Sequence, residues 1–157
     1  QSLDGFLAGR CDVLTSDVSQ LASLRAAMDN PADAVVLGNV ISKEPLGPVV
    51  RQGDDEWFNI VKWTLIAMIQ AEESGVTSEN IDTVTTNPTI ERLAGRSSQT
   101  HEYLHLSPSW SYDIIKQVGN YGESFERNIG VNTPIGLSRG PNELWTKGGI
   151  LYAPAFR

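Results

Sequence analysis

A single apolar helix constrains what this chain can fold into more than any other feature. It is predicted within residues 43–75, where a short extended segment leads into it. Between Trp57 and Ile69 the only clearly polar side chains are those of Asn59, Lys62 and Thr64. Because apolar residues surround most of such a helix, we expect it to be buried on several sides. Its apolar run is shorter than the roughly 20 residues needed to cross a bilayer, so we predict the central core helix of a soluble domain.

Both ends of this helix are marked in the sequence. The carboxylates of residues 54–56 fall in its first turn, where negative charge complements the helix dipole. Gly75 stands just past its last turn, where a residue in the left-handed conformation commonly ends a helix. The sequence therefore predicts a helix with defined limits.

The net charge excludes some classes of partner. The chain has 157 residues, a formal charge of −7 and no block of Lys and Arg, which argues against nucleic acid or an anionic membrane as the main partner. Its length suffices for one domain with a substantial core. The single cysteine, Cys11, cannot form an intrachain disulfide, and its place in an apolar run predicts an inert buried thiol.

Strands and helices alternate in the part of the chain before the central helix. Residues 3–8 are expected to end a helix at Gly9, and an amphipathic helix is predicted over residues 19–28. Three short strands are predicted, at residues 11–16, 34–37 and 46–51. This alternation indicates the α/β class.

The second half of the chain is predicted to wrap the central helix with short helices. These are expected at residues 77–84, 88–93, 110–119 and 121–128, with a further helical turn at residues 141–145. Residues 95–109 and the aromatic tail are expected to be irregular, because Gly, Pro and Ser recur there.

The sharpest chemical motif is HEYLH, formed around His101, Glu102 and His105. In zinc peptidases two such histidines bind the metal from one helix face and the glutamate acts as the base. Glu123 or Glu126 is a conceivable third ligand. The motif, however, has room for only about two helical turns, which are marginal in isolation. A surface turn is the plainer interpretation, and a zinc-dependent hydrolase is kept as the alternative function.

Asp17 is the second candidate for a functional residue. It follows a predicted strand and begins a helix, which is where open α/β sheets bind ligands, so its carboxylate could pair with a ligand ammonium. Asp17 and Gln20 also fit the capping-box pattern. From position alone, the capping interpretation is favoured. The sequence has no phosphate-binding loop and no arrangement of serine, histidine and aspartate that suggests a triad.

Three stretches resemble a known family. They are GRCDVLTSD (9–17), ISKEPLGPVVRQGDDEWFNIVKWTLIAMIQAEESGVTSENID (41–82), and WSYDIIKQVGNYGESFERNIG (110–130) with the closing LWTKGGILYAPAFR (144–157). Together they resemble the C-terminal half of the general L-amino-acid-binding proteins of bacterial ABC transporters. The poorest match, residues 96–106, contains HEYLH. The resemblance implies a two-lobed periplasmic protein of type II-like α/β fold that closes on an L-amino acid and has no catalytic activity or cofactor.

The resemblance also implies a division of the chain and roles for its residues. Residues 1–40 would be a remnant of lobe two, 39–45 the hinge crossover, 46–95 the returning part of lobe one, and 96–157 a helical and irregular extension packed on lobe one. Asp17 would hold the α-ammonium of the ligand. Lys43 and Glu44 would orient the hinge or line the cleft.

The chain departs from the family because it lacks the first strands of lobe one and most of lobe two. The arginine that should bind the ligand carboxylate is missing with them. We therefore expect a cleaved or engineered fragment that pairs with its missing N-terminal half or exchanges elements with a second copy of itself. The permease of the transporter is the expected membrane partner, and a detached lobe that acts as an interaction module is a third alternative.

Overall fold

A computed structural model describes residues 2–43, 45–85, 87–97 and 99–155. The chain divides into two compact units: the first comprises Gln1–Leu46 and Asn128–Ser138, and the second comprises Gly47–Arg127 and Arg139–Arg157. Residues 128–138, which lie within the predicted extension of residues 96–157, are grouped with the first of these compact units.

Seven α-helices and three short 3₁₀ helices occur within the described residues. The α-helices are α1 (Ser2–Leu7), α2 (Val18–Ala26), α3 (Asp55–Glu73), α4 (Pro88–Leu93), α5 (Thr100–Leu104), α6 (Trp110–Val118) and α7 (Tyr121–Asn128). The 3₁₀ helices are Pro31–Asp33, Gly140–Asn142 and Trp145–Lys147. The predictions of α3, α4, α6 and α7 are confirmed, as is the end of α1, where Gly9 has φ +65°.

The central helix begins and ends where the sequence marks it. The Asp54 carboxylate accepts a hydrogen bond from the Trp57 N–H at 3.1 Å, which satisfies one of the free donors of the first turn. After the last turn, Gly75 adopts φ +66°. The predicted burial holds only for the C-terminal part of α3, where the buried side chains are Ile66, Ala67, Ile69 and Ala71.

The core of the second unit forms where α3 packs against α4, α5 and α6. Its buried members are Ile66, Ala67, Ala71, Val76, Ile81, Ile90, Leu93, Leu104, Trp110 and Ile115. The short helices each contribute one or two apolar side chains, so their stability comes from this packing more than from their length.

The three predicted strands are wrong as local structure. Residues 11–16, 34–37 and 46–51 contain no strand, and the only β-pairing in the described part of the chain is an isolated bridge between Leu144 and Leu151. A strand forms only when a neighbouring strand pairs with its backbone groups. The apolar residues that produced the alternating pattern are instead exposed: Val13, Val35, Leu37, Leu46 and Val49.

Two further local predictions are wrong. Residues 77–84 form turns instead of a helix, because the Asn80 side chain accepts from the Thr77 N–H at 2.8 Å and donates to the Gly75 carbonyl at 2.9 Å. The short helix α5 interrupts the segment that was expected to be irregular, and its Leu104 is buried in the core.

Two consecutive glutamates at the end of α3 hold the C-terminal segment. Glu72 forms an ion pair with Arg139 at 3.0 Å. One oxygen of Glu73 accepts hydrogen bonds from the Trp145 indole N–H and from the Ala153 N–H, both at 3.1 Å. The C-terminal segment of the second unit, from Arg139 onward, is therefore held to the same helix that builds the core.

Within the described ranges, none of the helices combines the length and the apolar character required for a membrane span.

Candidate functional site

Asp17 occupies the N-cap position of α2, as the sequence predicts, but it does not cap the helix. Its backbone has φ −56° and ψ 142°, and its partly buried side chain makes no capping hydrogen bond. The predicted capping box with Gln20 is wrong, because the Gln20 side-chain oxygen accepts from the Ser16 hydroxyl instead. The structural reason that favoured a capping role for Asp17 is therefore removed.

Lys43 lies in the first unit, like Asp17, and is exposed. No hydrogen bond or ion pair joins these two described residues. Glu44, predicted beside Lys43 at the hinge, lies outside the described residues. The structure thus places both predicted binding residues in the same unit without a hydrogen bond or ion pair between them.

The HEYLH motif does not form a helical zinc site. Helix α5 ends at Leu104, and His105 has left-handed backbone angles of φ 53° and ψ 38°, so the two histidines do not share a helix face. His105 Nδ1 lies 3.1 Å from the Glu56 carboxylate. Among the described residues, no group of three or more His, Cys, Asp or Glu side chains could hold a metal ion.

Glu123, one of the conceivable third zinc ligands, is used structurally. Its carboxylate accepts from the Ser78 hydroxyl at 2.6 Å and from the Asn120 N–H at 2.8 Å. The Asn120 side chain accepts in return from the Glu123 N–H at 2.9 Å, which completes a capping box at the start of α7. The N-x-x-E spacing of residues 120–123 is the sequence signal that could have revealed this role. The other conceivable ligand, Glu126, is exposed on α7.

The most buried charged pair of the second unit was not predicted. Arg139 binds both oxygens of Glu72 with its two terminal nitrogens, each at 3.0 Å, and both side chains are almost fully buried. The guanidinium also lies 5.3 Å from the Tyr121 ring and 5.2 Å from the Phe125 ring, within cation–π range. Burial raises the pKa of the Tyr121 hydroxyl. The pair joins residues 67 positions apart, so no local pattern announces it.

The first unit presents apolar side chains to solvent. Its large exposed apolar residues include Val35, Leu37, Val40, Ile41 and Leu46, whereas Ala22 is its only buried apolar residue in the described part of the chain. Cys11 is exposed as well, so the prediction of a buried thiol is wrong. The large apolar side chains described in the first unit are therefore all at least partly in contact with solvent.

The chain matches no protein-family model. Its curated relatives include the putative amino-acid ABC transporter-binding protein YhdW of Escherichia coli (strain K12), which is 53% identical over 160 aligned positions that span the whole chain and 47% of the relative. The general L-amino acid-binding periplasmic protein AapJ of Rhizobium johnstonii is 53% identical over 96% of the chain and 45% of the relative. The glutamate/glutamine/aspartate/asparagine-binding protein BztA of Rhodobacter capsulatus is 50% identical over 97% of the chain and 46% of the relative.

A solved structure shares the fold of the chain. It is an ABC transporter/periplasmic binding protein from Brucella ovis with glutathione bound, with a TM-score of 0.90 and 46% identity over 98% of this chain and 49% of that one. The chain thus spans about half the length of the proteins that it matches. None of these relatives is named as a hydrolase or a zinc protein, so the comparisons give no support to the zinc alternative.

Proposed function

We propose that this chain, which is homologous along its whole length to part of an amino-acid ABC transporter-binding protein and has a partial type II-like fold, is a portion of the solute-binding component of such a transporter. The observation that carries the proposal is identity of 50–53% to three proteins named for amino-acid binding or transport, over at least 96% of the chain. The chain would bind its ligand and would not catalyse a reaction.

The ligand class that fits best is a molecule with a free α-amino-acid end. One relative is named for L-amino acids in general and another for glutamate, glutamine, aspartate and asparagine, and the solved neighbour holds glutathione. Glutathione carries a free α-ammonium and α-carboxylate on its γ-glutamyl end, so these ligands share one zwitterionic group. A cleft that recognises this group and leaves room for the rest of the ligand can bind both kinds of molecule.

Asp17 is the residue of this chain proposed to bind the ligand ammonium. Support comes from its place at the start of α2, its partial burial, and the lack of a capping hydrogen bond from its side chain. A carboxylate and an ammonium form a strong charge-assisted hydrogen bond. Lys43 is proposed to line the cleft or orient the hinge, and the carboxylate of the ligand would bind an arginine that lies outside this chain.

The lobes are proposed to follow the predicted division, with residues 39–45 as the crossover between a lobe-two remnant and the returning part of lobe one. The exposed apolar residues of the first unit support a partner that covers them. That partner is the missing N-terminal half of the protein or, alternatively, a second copy that exchanges elements with this one. The periplasm is the proposed location, and the permease of the transporter is the proposed membrane partner.

The test uses two proteins: the isolated chain, and a chimera in which the portion of the Escherichia coli relative that the chain does not match precedes it. Calorimetry measures the binding of L-glutamate, L-glutamine, L-alanine and glutathione to both. We expect the chimera to bind at least one of them and the isolated chain to bind none tightly. No binding of any of them to a folded chimera contradicts the proposed function.

The role of Asp17 is tested by Asp17→Asn in the chimera. Removal of a carboxylate paired with a desolvated ammonium should cost about 2–5 kcal/mol of affinity, or roughly 30-fold or more. Asp12→Asn, at an exposed position of the same unit, is the matched control and should leave the affinity unchanged. Equal affinities for both variants would remove Asp17 from the site.

A further inference from the structure

The chain passes between its two compact units three times. It leaves the first unit after Leu46, leaves the second after Arg127, and enters the second again at Arg139. The first passage follows the proposed hinge crossover at residues 39–45. The other two passages bound a loop, residues 128–138, that belongs to the first unit although the chain on both sides of it belongs to the second. This loop is named the crossing loop below.

The crossing loop is closed on itself by hydrogen bonds. The Leu137 N–H donates to the Ile129 carbonyl at 2.9 Å, which joins the two ends of the loop. Inside it, the N–H and the hydroxyl of Thr133 both donate to the Gly130 carbonyl, at 2.9 Å and 2.8 Å. A loop with joined ends and internal hydrogen bonds has a defined compact shape, so it differs from a slack linker that could lengthen when the units move.

The second unit holds the chain on either side of the crossing loop. Before the loop, Phe125 is buried on α7, and the capping box of Asn120 and Glu123 fixes the start of that helix. After the loop, Arg139 is buried and binds both oxygens of Glu72. Separation of a buried ion pair leaves an uncompensated charge, which is strongly unfavourable. Both anchors therefore oppose release of the chain from the second unit.

The short distance along the chain between loop and anchors limits how far the two units can move apart there. Leu137 of the first unit stands two residues before Arg139 of the second. Two extended residues span at most about 7 Å, and the four residues from Phe125 to Ile129 span at most about 14 Å. A hinge rotation moves points near its axis little and points far from it most. The crossing loop therefore restricts the movements that are open to the two units.

We propose that the crossing loop is a second restraint on the movement of the two units, which acts beside the hinge crossover and limits how far the ligand cleft opens. The inference rests on the proposed function, because the cleft is that of a solute-binding protein. A restraint on the open form reduces the conformational freedom that is lost on closure. It thus raises the population of the closed form and the apparent affinity, although the loop does not touch the ligand.

Distances between spin labels test the restraint in the ligand-free chimera, whose native cysteines, Cys11 included, are replaced by serine. One pair of labels, on Leu7→Cys and Ile150→Cys, reports on the separation of the two units, and both positions are exposed. The control pair, on Tyr103→Cys and Ile150→Cys, lies at exposed positions within the second unit. Electron paramagnetic resonance measures the width of the distance distribution for each pair.

The test variant replaces residues 129–137 by the same number of glycine and serine residues. This change keeps the length of the chain but removes the packing of the loop and the hydrogen bond that joins its ends. Because such a segment behaves as a flexible coil, we expect the distribution between the units to broaden about twofold or more. The control pair should keep its width. The affinity for the amino acid that the chimera binds should fall about threefold or more in calorimetry.

A milder variant keeps the test decisive if the replacement prevents folding. Ile135→Ala combined with Leu137→Ala removes two partly buried side chains of the loop and should broaden the distribution between the units by a smaller amount. Val131→Ala, at an exposed position of the same loop, is its matched control and should not.

Three results would overturn the proposal. The first is an unchanged distribution between the units in a folded variant that lacks the packing of the loop. The second is equal broadening of both label pairs, which would mean that the loop stabilises the second unit and does not restrain its movement. The third is tighter amino-acid binding by the replacement variant, which would mean that the loop opposes closure.

Amino-acid binding by the same chimera separates the two proposals. Broadening between the units in a chimera that binds none of the amino acids would contradict the proposed function and support the restraint on movement. Equal affinities with and without the native loop, together with unchanged distributions, would overturn the restraint and leave the proposed function intact.

Discussion

The two units of this chain contain similar apolar residues but place them differently. In the second unit, large side chains such as Ile81, Leu93 and Ile115 are fully buried around α3. In the first unit, side chains of the same type, such as Leu37 and Ile41, are exposed. The sequence of the second unit therefore specifies a core within the unit, whereas none of the large apolar side chains described in the first unit is buried.

This difference shows why a helix and a strand respond differently to a missing partner. A helix forms its backbone hydrogen bonds within one segment, so α2 forms in the first unit without an extensive core. A strand needs a neighbour for every backbone bond, so the apolar alternation of residues 11–16 and 34–37 yields no strand.

The buried ion pair should matter most to the second unit. Arg139→Leu would leave the Glu72 carboxylate buried without its partner, and we expect a loss of about 3–5 kcal/mol in the free energy of unfolding. The exposed pair between Arg96 and Glu91 is the matched control, and Arg96→Leu should cost about 0–1 kcal/mol. Urea denaturation measures both. Similar losses for the two variants would mean that the buried pair contributes no more than an exposed one.

A pair of leucine truncations compares the two units directly. Leu93 is fully buried in the second unit and Leu37 is 68% exposed in the first. Leu93→Ala should destabilise the chain by about 2–5 kcal/mol, because the lost contacts leave a cavity. Leu37→Ala should change the stability by less than about 0.5 kcal/mol in the isolated chain. A large loss for Leu37→Ala would show that the first unit has a core of its own.

Two glycine substitutions, one in each unit, compare how tightly the backbone is packed in the two units. A Cβ atom on Gly149 would overlap the Glu143 carbonyl in the C-terminal segment, whereas Gly38 has open space around it. We expect Gly149→Ala to cost about 1–3 kcal/mol through overpacking and Gly38→Ala to be nearly neutral. Thermal unfolding followed by circular dichroism compares the two. Equal midpoints would mean that the C-terminal segment does not contribute to the cooperative unit.

The N-caps of α2 and α3 should differ by a smaller amount. Asp54 accepts a capping hydrogen bond at the start of α3, whereas Asp17 makes none at the start of α2. Asp54→Ala should therefore cost about 1 kcal/mol, and Asp17→Ala only a few tenths of that, from the helix dipole. If Asp17→Ala proves as costly in the isolated chain, the aspartate has a structural role and its assignment to ligand binding is weakened.

The smallest effect concerns an exposed cluster on the second unit. Hydrogen bonds from Lys116 and then Tyr112 lower the pKa of Asp82 below its usual 3.8. A lowered pKa in the folded state contributes stability above pH 3.8, and this contribution is lost as the pH falls through the lower, folded-state pKa. The denaturation midpoint should thus fall more for the wild-type chain than for Asp82→Asn below pH 3.8. Parallel pH profiles would mean that the cluster is not coupled to folding.

Local sequence patterns predicted the helices more accurately than the strands or the ion pairs between distant residues. The limits of α3 could be predicted because Asp54 and Gly75 act on residues next to them in the sequence. The predicted strands failed because a strand needs a pairing neighbour, and none of the described segments pairs with residues 11–16, 34–37 or 46–51. The pair between Arg139 and Glu72 could not be predicted, since it depends on how distant segments pack together.

Prediction from local sequence was limited in the same way at the candidate site. The position of Asp17 at the start of α2 was predicted, but its side chain forms no capping bond, and the Gln20 side chain pairs with Ser16 in place of the return bond of a capping box. HEYLH matched a zinc motif by its letters, yet the left-handed backbone of His105 ends the helix before the second histidine joins it. The spacing of a motif predicts the relative positions of its side chains only when the backbone is helical at every residue of the motif.

Hydrogen–deuterium exchange of the isolated chain and of the chimera tests whether the second unit is stabilised by its own core while the apolar segments of the first unit depend on a partner. We predict slow exchange in α3 and α6 of both proteins, and fast exchange of residues 34–43 in the isolated chain that becomes slow in the chimera. Slow exchange of residues 34–43 in the isolated chain, or fast exchange of them in both proteins, would contradict the account.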